Sequence, residues 1–260
     1  MTQALLWAAA GTGFTFSMTV IGAAMVFLTK KQSSALMQRI FLGFAAGVMI
    51  AASVWSLLIP AIEETEQAGG ISWLPAAGGF VLGLAFMLLL DGLLTRLQHS
   101  AVRAGNVSSS FRRTAMLVLA VTLHNIPEGM AVGLAFALAA DGESLAGAFA
   151  LALGIGVQNF PEGAAVALPL HQEGFSRAKS FVFGALSGIV EPIFGIVVVL
   201  AAAQLTPFMP WLLSAAAGAM LYVVVEELIP EAHLNEHSHP GTLGVMVGFL
   251  VMMVLDVALG

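Results

Sequence analysis

The chain has 260 residues, 59% of them hydrophobic and 9% charged, with a mean hydropathy of +0.95. A soluble domain carries roughly a quarter of its residues as charged groups, so this composition excludes an ordinary water-soluble globule and implies a membrane-embedded protein. The net charge of −6 comes with no basic patch suited to nucleic acid, and the absence of cysteine removes disulfides and thiolate metal sites.

A helix needs about 20 apolar residues to cross a bilayer core. Eight segments meet that length: in chain order they cover 5–29, 40–62, 72–95, 114–139, 144–170, 179–204, 208–230 and 242–259. They predict an all-α integral membrane protein with eight transmembrane helices in a single domain, 1–260. The first segment has no basic stretch before it and Lys30-Lys31 after it, which reads as a retained span rather than a signal peptide. All nine basic residues fall in or beside the first loop (Lys30, Lys31, Arg39), the third (Arg96, Arg103, Arg112, Arg113) and the fifth (Arg177, Lys179). Cytoplasmic loops collect lysine and arginine, so the chain is expected in the cell (inner) membrane with both termini on the extracytoplasmic side. The seventh loop, "EAHLNEHSHP", has neither residue and is placed inside by counting spans.

Span four contains "LHNIPEGMAVGLA" from Leu123, and span five contains "VQNFPEGAAVALP" from Val157. The shared frame is polar-Asn-x-Pro-Glu-Gly. A fainter echo links "AAGVMIAASVWSLLIPAIEE" in span two to "AAGAMLYVVVEELIPEAH" in span seven, and another links the end of span three at Asp91 to that of span eight at Asp256. Short matches of Ala, Gly, Leu and Met arise readily by chance in such a chain. A glutamate repeated in one frame inside two apolar spans is harder to dismiss. An offset of five spans inverts each copy, which predicts an inverted repeat of helices 1–3 and 6–8 around the central pair 4 and 5, a pattern of secondary transporters.

His124 and Glu128 stand four residues apart in span four, so they share a helix face about one turn apart and can reach one ion. Asn125 is rotated from His124 by roughly 100° and is placed for an adjoining site that shares Glu128. Pro127 removes the hydrogen bond to the Leu123 carbonyl, which predicts a kink. Span five repeats the arrangement with Gln158, Asn159, Pro161 and Glu162, and span six places Glu191 before Pro192 at its midpoint. Three carboxylates thus fall near the bilayer centre without a nearby lysine or arginine. Each costs on the order of 2.5 kcal/mol or more to insert ionised and alone, so protons, a cation or both in alternation must neutralise them. A single intramembrane histidine is most often structural, but one histidine, three glutamates and three amides on three proline-containing spans suit a divalent transition metal.

At these residues the chain resembles the ZIP family of divalent metal transporters, in its compact bacterial branch. The two motifs "HNIPEG" and "QNFPEG" and the "SGIVEP" glutamate carry the resemblance, which covers essentially the whole chain. It implies a binuclear site. His124, Glu128, Gln158, Glu162 and Glu191 would form the main metal site, and Asn125, Asn159, the shared glutamates and Met49 the second. Asn159 stands where many members have a carboxylate, which weakens the charge of that second site. The resemblance also implies Zn²⁺, with Cd²⁺, Fe²⁺ and Mn²⁺, as transported substrate, movement toward the cytoplasm by alternating access, and no catalytic cofactor. The expected partners are divalent ions and the lipid bilayer, and a homodimer is compatible with the sequence.

With this topology, Glu63 and Asp256 lie near the outer mouth, and Asp91, Glu226 and Glu227 near the inner one, where acids raise the local cation concentration. Helix ends also carry solvated charges with no such role. His233 lies in a short His-containing loop suited to metal hand-over by composition alone. Two other functions compete with a carrier. An intramembrane metal hydrolase needs a general base and usually a second histidine, as in His-Glu-x-x-His, and the chain offers amides there instead. A metal-selective channel uses the same ligands and is separated from a carrier by its flux kinetics.

Overall fold

The computed structural model describes residues 2–28, 35–103, 109–142, 144–202, 206–232 and 239–259. Among them there is no strand. The helices are α1 (Thr2–Leu28), α2 (Ala35–Ala52), α3 (Ile59–Gln67), α4 (Trp73–Arg103), α5 (Ser109–Asp141), α6 (Leu145–Gln172), α7 (Arg177–Ser187), α8 (Val190–Ala202), α9 (Met209–Val223), α10 (Ile229–Ala232) and α11 (His239–Leu259). Among the described residues six helical stretches are long and apolar enough to cross a membrane: Thr2–Leu28, Arg39–Gln67, Trp73–Leu93, Arg177–Ala201, Met209–Leu228 and His239–Leu259. These make the chain a multi-pass membrane protein. The expected fourth and fifth spans correspond to α5 and α6, of 33 and 28 residues, which carry the polar motifs. Several helices outrun the expected boundaries; α4, for example, continues to Arg103, past the limit of 95 drawn from hydropathy.

Two stretches bridge consecutive helices as π-helical turns, Ser53–Leu58 between α2 and α3 and Val224–Leu228 between α9 and α10. In each, the N–H after the turn bonds five residues back, from Ile59 to Val54 and from Ile229 to Val224. A proline follows at once, Pro60 or Pro230. Its ring crowds the carbonyl four residues earlier and it has no N–H to offer, so the turn ahead of it widens. These are the two stretches whose sequences echo each other.

Prolines inside α5 and α6 act differently. Helix α5 runs through Pro127 and α6 through Pro161 and Pro169, so neither helix is interrupted at its motif proline: the proline removes one hydrogen bond while the flanking turns continue. Span six is the one that breaks. Helix α7 ends at Ser187, α8 begins at Val190, and the Gly188 carbonyl accepts from the Glu191 N–H at 3.1 Å rather than from Pro192, which has none.

Chain reversals are built from ordinary caps. Ser144 and Ser176 cap α6 and α7 by accepting from Gly147 and Lys179. Gly69 and Gly174, at φ of 71° and 103°, close α3 and α6 with paired bonds to the last turn, Gly70 to Thr65 and Gly69 to Glu66 in the first case.

Packing follows pairs: α2 lies along α11, α4 along α9, α1 along α6 and α5 along α8. Arg39–Gln67 and Met209–Leu228 are mostly interior, whereas Trp73–Leu93 and His239–Leu259 face mostly outward with apolar residues such as Leu82, Leu89, Leu250 and Val257. Close contacts are made where glycine stands. A Cβ at Gly129 would lie 2.5 Å from the Glu191 Cα, one at Gly163 would meet the Thr19 carbonyl and one at Gly22 the Phe160 carbonyl. Spans one, four, five and six are thereby drawn together around the two repeated motifs.

Candidate metal site

The motif side chains meet in the interior between these four spans. Asn125, Glu128, Gln158, Asn159, Glu162 and Glu191 are all buried, although none is apolar. Gln158 Nε2 donates to Glu128 Oε1 at 2.7 Å and to Asn159 Oδ1 at 2.9 Å. Asn159 Nδ2 in turn donates to Glu191 Oε2 at 2.8 Å and to the Thr15 carbonyl at 3.3 Å. Thr19 Oγ1 donates to Glu191 Oε1 at 3.3 Å. One chain of hydrogen bonds therefore links Glu128 of α5, through two amides of α6, to Glu191 of α8. Glu162 lies within electrostatic reach of both Glu128 and Glu191.

Several acceptors in this network have no donor: Asn125 Oδ1, Glu128 Oε2, Gln158 Oε1 and Glu162 Oε1 are buried without a hydrogen-bond partner. Leaving a buried oxygen unsatisfied costs about 1–3 kcal/mol, more for a charged group. Four such oxygens on two adjacent helices, all on residues within one helical turn of a motif proline, form a set that a cation satisfies and a neutral apolar filling does not. Among the described residues no three His, Asp or Glu side chains lie close enough to hold a metal ion by themselves. The amide side chains of Gln158 and Asn159 stand between the Glu128 and Glu191 carboxylates, and the ring of His124 lies outside the described residues.

The other expected residues are dispersed. Met49 is buried in the main apolar core, and its carbonyl accepts from Ser53 Oγ at 2.7 Å. Asp256 is buried and accepts from Ser56 Oγ, in the first π-helical turn, at 2.6 Å. Glu63, Asp91 and Glu226 are exposed. Asp91, Glu226 and Glu227 share the electrostatic surroundings of Tyr222, the sole tyrosine, and Glu227 is also within electrostatic range of Glu162. His233 lies outside the described residues.

Sequence reasoning missed the contribution of span one. Thr12, Thr15 and Thr19 are fully buried, and the last two contact Asn159 and Glu191. Their spacing of three and four residues puts the threonines on one face of α1, a signal that was present but is shared by ordinary helix packing. Ser187 was missed as well, because its part is played by a main-chain carbonyl, which accepts from Asn125 Nδ2 at 3.1 Å.

Ionisable groups buried within membrane helices mark ion pathways, and a buried set of carboxylate and amide oxygens selects a hard to borderline cation. The arrangement defines a helical membrane protein that handles cations. The chain belongs to the ZIP zinc transporter family: the sequence profile of that family matches residues 101–256. It is 38% identical to zinc transporter ZIP11 of Bos taurus, over 100% of this chain and 98% of that protein. Zinc transporter GufA of Myxococcus xanthus is 36% identical over 93% of this chain and 94% of its own length. Zinc transporter ZIPB of Bordetella bronchiseptica is 39% identical over 99% of this chain and 81% of its own. The family is one of transporters, not of enzymes, which removes the hydrolase reading.

Proposed function

We propose that this chain carries Zn²⁺ across the cell membrane toward the cytoplasm, as a single eight-span domain with both termini outside, by alternating access to a mid-membrane site. Cd²⁺, Fe²⁺ and Mn²⁺ are the expected competitors. The main ion is held by Glu128, Gln158, Glu162 and Glu191, with His124 four residues before Glu128 on α5. The observation that carries this reading is the buried network from α5 through α6 to α8, with acceptor oxygens that lack donors. The zinc transporters to which the chain is similar supply the choice of metal.

Two features support the inverted repeat. The π-helical turns precede Ile-Pro in spans two and seven alike. The packing pairs also interchange when span one is swapped with six, two with seven, three with eight and four with five. The pair α2–α11 then becomes α9–α4, and α1–α6 becomes α8–α5. A second ion, for which the family resemblance names Asn125, Asn159 and Met49, draws less support, since both ends of the Asn159 amide are engaged and Met49 lies in the apolar core.

Zn²⁺ uptake into proteoliposomes tests the proposal. Glu128→Ala and Glu162→Ala are expected to lose uptake while remaining folded, and full flux in either contradicts the site. Flux that rises linearly with Zn²⁺ without saturating points to a channel instead.

A further inference from the structure

The repeated motif supplies one asparagine per copy, Asn125 on α5 and Asn159 on α6, and both donate to the same interrupted span, one on each side of its break. Before the break, Asn125 Nδ2 reaches the Ser187 carbonyl at 3.1 Å. In an unbroken helix that carbonyl accepts from the Glu191 N–H, but the Glu191 N–H is taken by Gly188 at 3.1 Å. The amide of Asn125 thus serves as a capping donor for α7 brought in from another helix. Beyond the break, Asn159 Nδ2 holds the Glu191 carboxylate at 2.8 Å and the Thr15 carbonyl at 3.3 Å. Main-chain carbonyls only accept, so the partners themselves fix which end of each amide faces outward: the NH₂ group. The Asn159 oxygen is occupied from behind by Gln158 Nε2 at 2.9 Å.

We propose that Asn125 and Asn159 are positioning residues, a pair of amide donors that clamp span six across its break and hold Glu191 at the ion, and not ligands of a second metal. This rests on the reading that Glu191 binds the transported ion. The two asparagines occupy the same place in the two motif copies, and the clamp gives that repetition a physical reason: a broken helix has two ends, and each end is held by one copy.

An Asn→Asp exchange separates the two roles, because it keeps an oxygen, adds a charge and removes the donor. A metal ligand is improved by that change, whereas a clamp is lost and two acceptors are left face to face. The measurement is isothermal titration of the purified full chain with Zn²⁺ alone, paired with hydrogen exchange across Ser187–Glu191. The clamp predicts one ion per wild-type chain. In Asn125→Asp and Asn159→Asp it predicts a Kd raised by about 10- to 100-fold, the usual effect of losing a group that orients a ligand, with faster exchange in that segment. Equal or tighter binding with unchanged exchange overturns it, as does a second ion in the wild type that either variant binds more tightly. Asn125→Ala, which removes the amide without adding charge, reads the same exchange if the aspartate variant does not accumulate. Full uptake by Glu162→Ala signals failure of the site itself. Loss of uptake there, together with tighter binding in Asn125→Asp, removes the clamp alone.

Discussion

Each of the three glutamates at the candidate site stands next to a proline, and two outcomes follow. In α5 and α6 the order is Pro-Glu and the helix continues through Pro127 and Pro161. In span six the order is Glu-Pro, and the helix stops at Ser187 and restarts at Val190. A proline disturbs the turn before it, so Glu128 and Glu162 sit past the disturbance on regular helix, whereas Glu191 sits within it, in the first turn of α8. Two of the carboxylates are thus borne by continuous helices, and the third by a hinge that needs support from its neighbours. Gly129, Thr19 and the two asparagines provide that support.

The largest expected effect falls on the carboxylates themselves. Replacing any of Glu128, Glu162 or Glu191 by alanine should lower Zn²⁺ uptake to background, since each removes a charge that the proposed site sets against the ion. Next come the prolines, which probe the contrast directly. Pro192→Ala lets α7 and α8 join, redirects Glu191 and should weaken Zn²⁺ binding more than Pro127→Ala, which sits in a helix that is already continuous. The reverse order would dissolve the distinction drawn between the spans. Gly129→Ala should lower the thermal midpoint by an amount equivalent to about 1–3 kcal/mol, the usual penalty for overpacking, because the new methyl runs into the Glu191 backbone. Gly92→Ala on α4, with open space around it, should show no such loss. The smallest effect is expected away from the site: Ser56→Ala removes the donor to Asp256 and should lower stability by about 1 kcal/mol while uptake stays near that of the wild type.

Much of this was legible in the chain itself. Long apolar runs mark the spans, and the repeated Pro-Glu-Gly frame singles out the helices whose polar groups meet in the interior. Glu191 stood out because a charged residue in mid-span is expensive. The location of the helix break was not legible, because Pro127, Pro161 and Pro192 look alike as letters. The turn before Pro192 is closely packed, Gly188 against Thr19 and Glu191 against Gly129, and such neighbours are visible only in three dimensions. Thr15, Thr19 and Ser187 were hidden for a related reason. Hydroxyls and main-chain carbonyls on one helix serve the side chains of another, and such pairings leave no periodicity in a single sequence. Asn125 and Asn159 were legible as polar groups beside the site, yet their donor roles appear only when the carbonyls they face are known.

The central claim is that carboxylates from α5, α6 and α8 serve one ion. Equilibrium Zn²⁺ binding by the purified protein and by Glu128→Ala, Glu162→Ala and Glu191→Ala tests it most directly. The account predicts that all three variants lose affinity for the same ion. A variant that binds Zn²⁺ as the wild type does, while the other two fail, would contradict it by placing its carboxylate elsewhere.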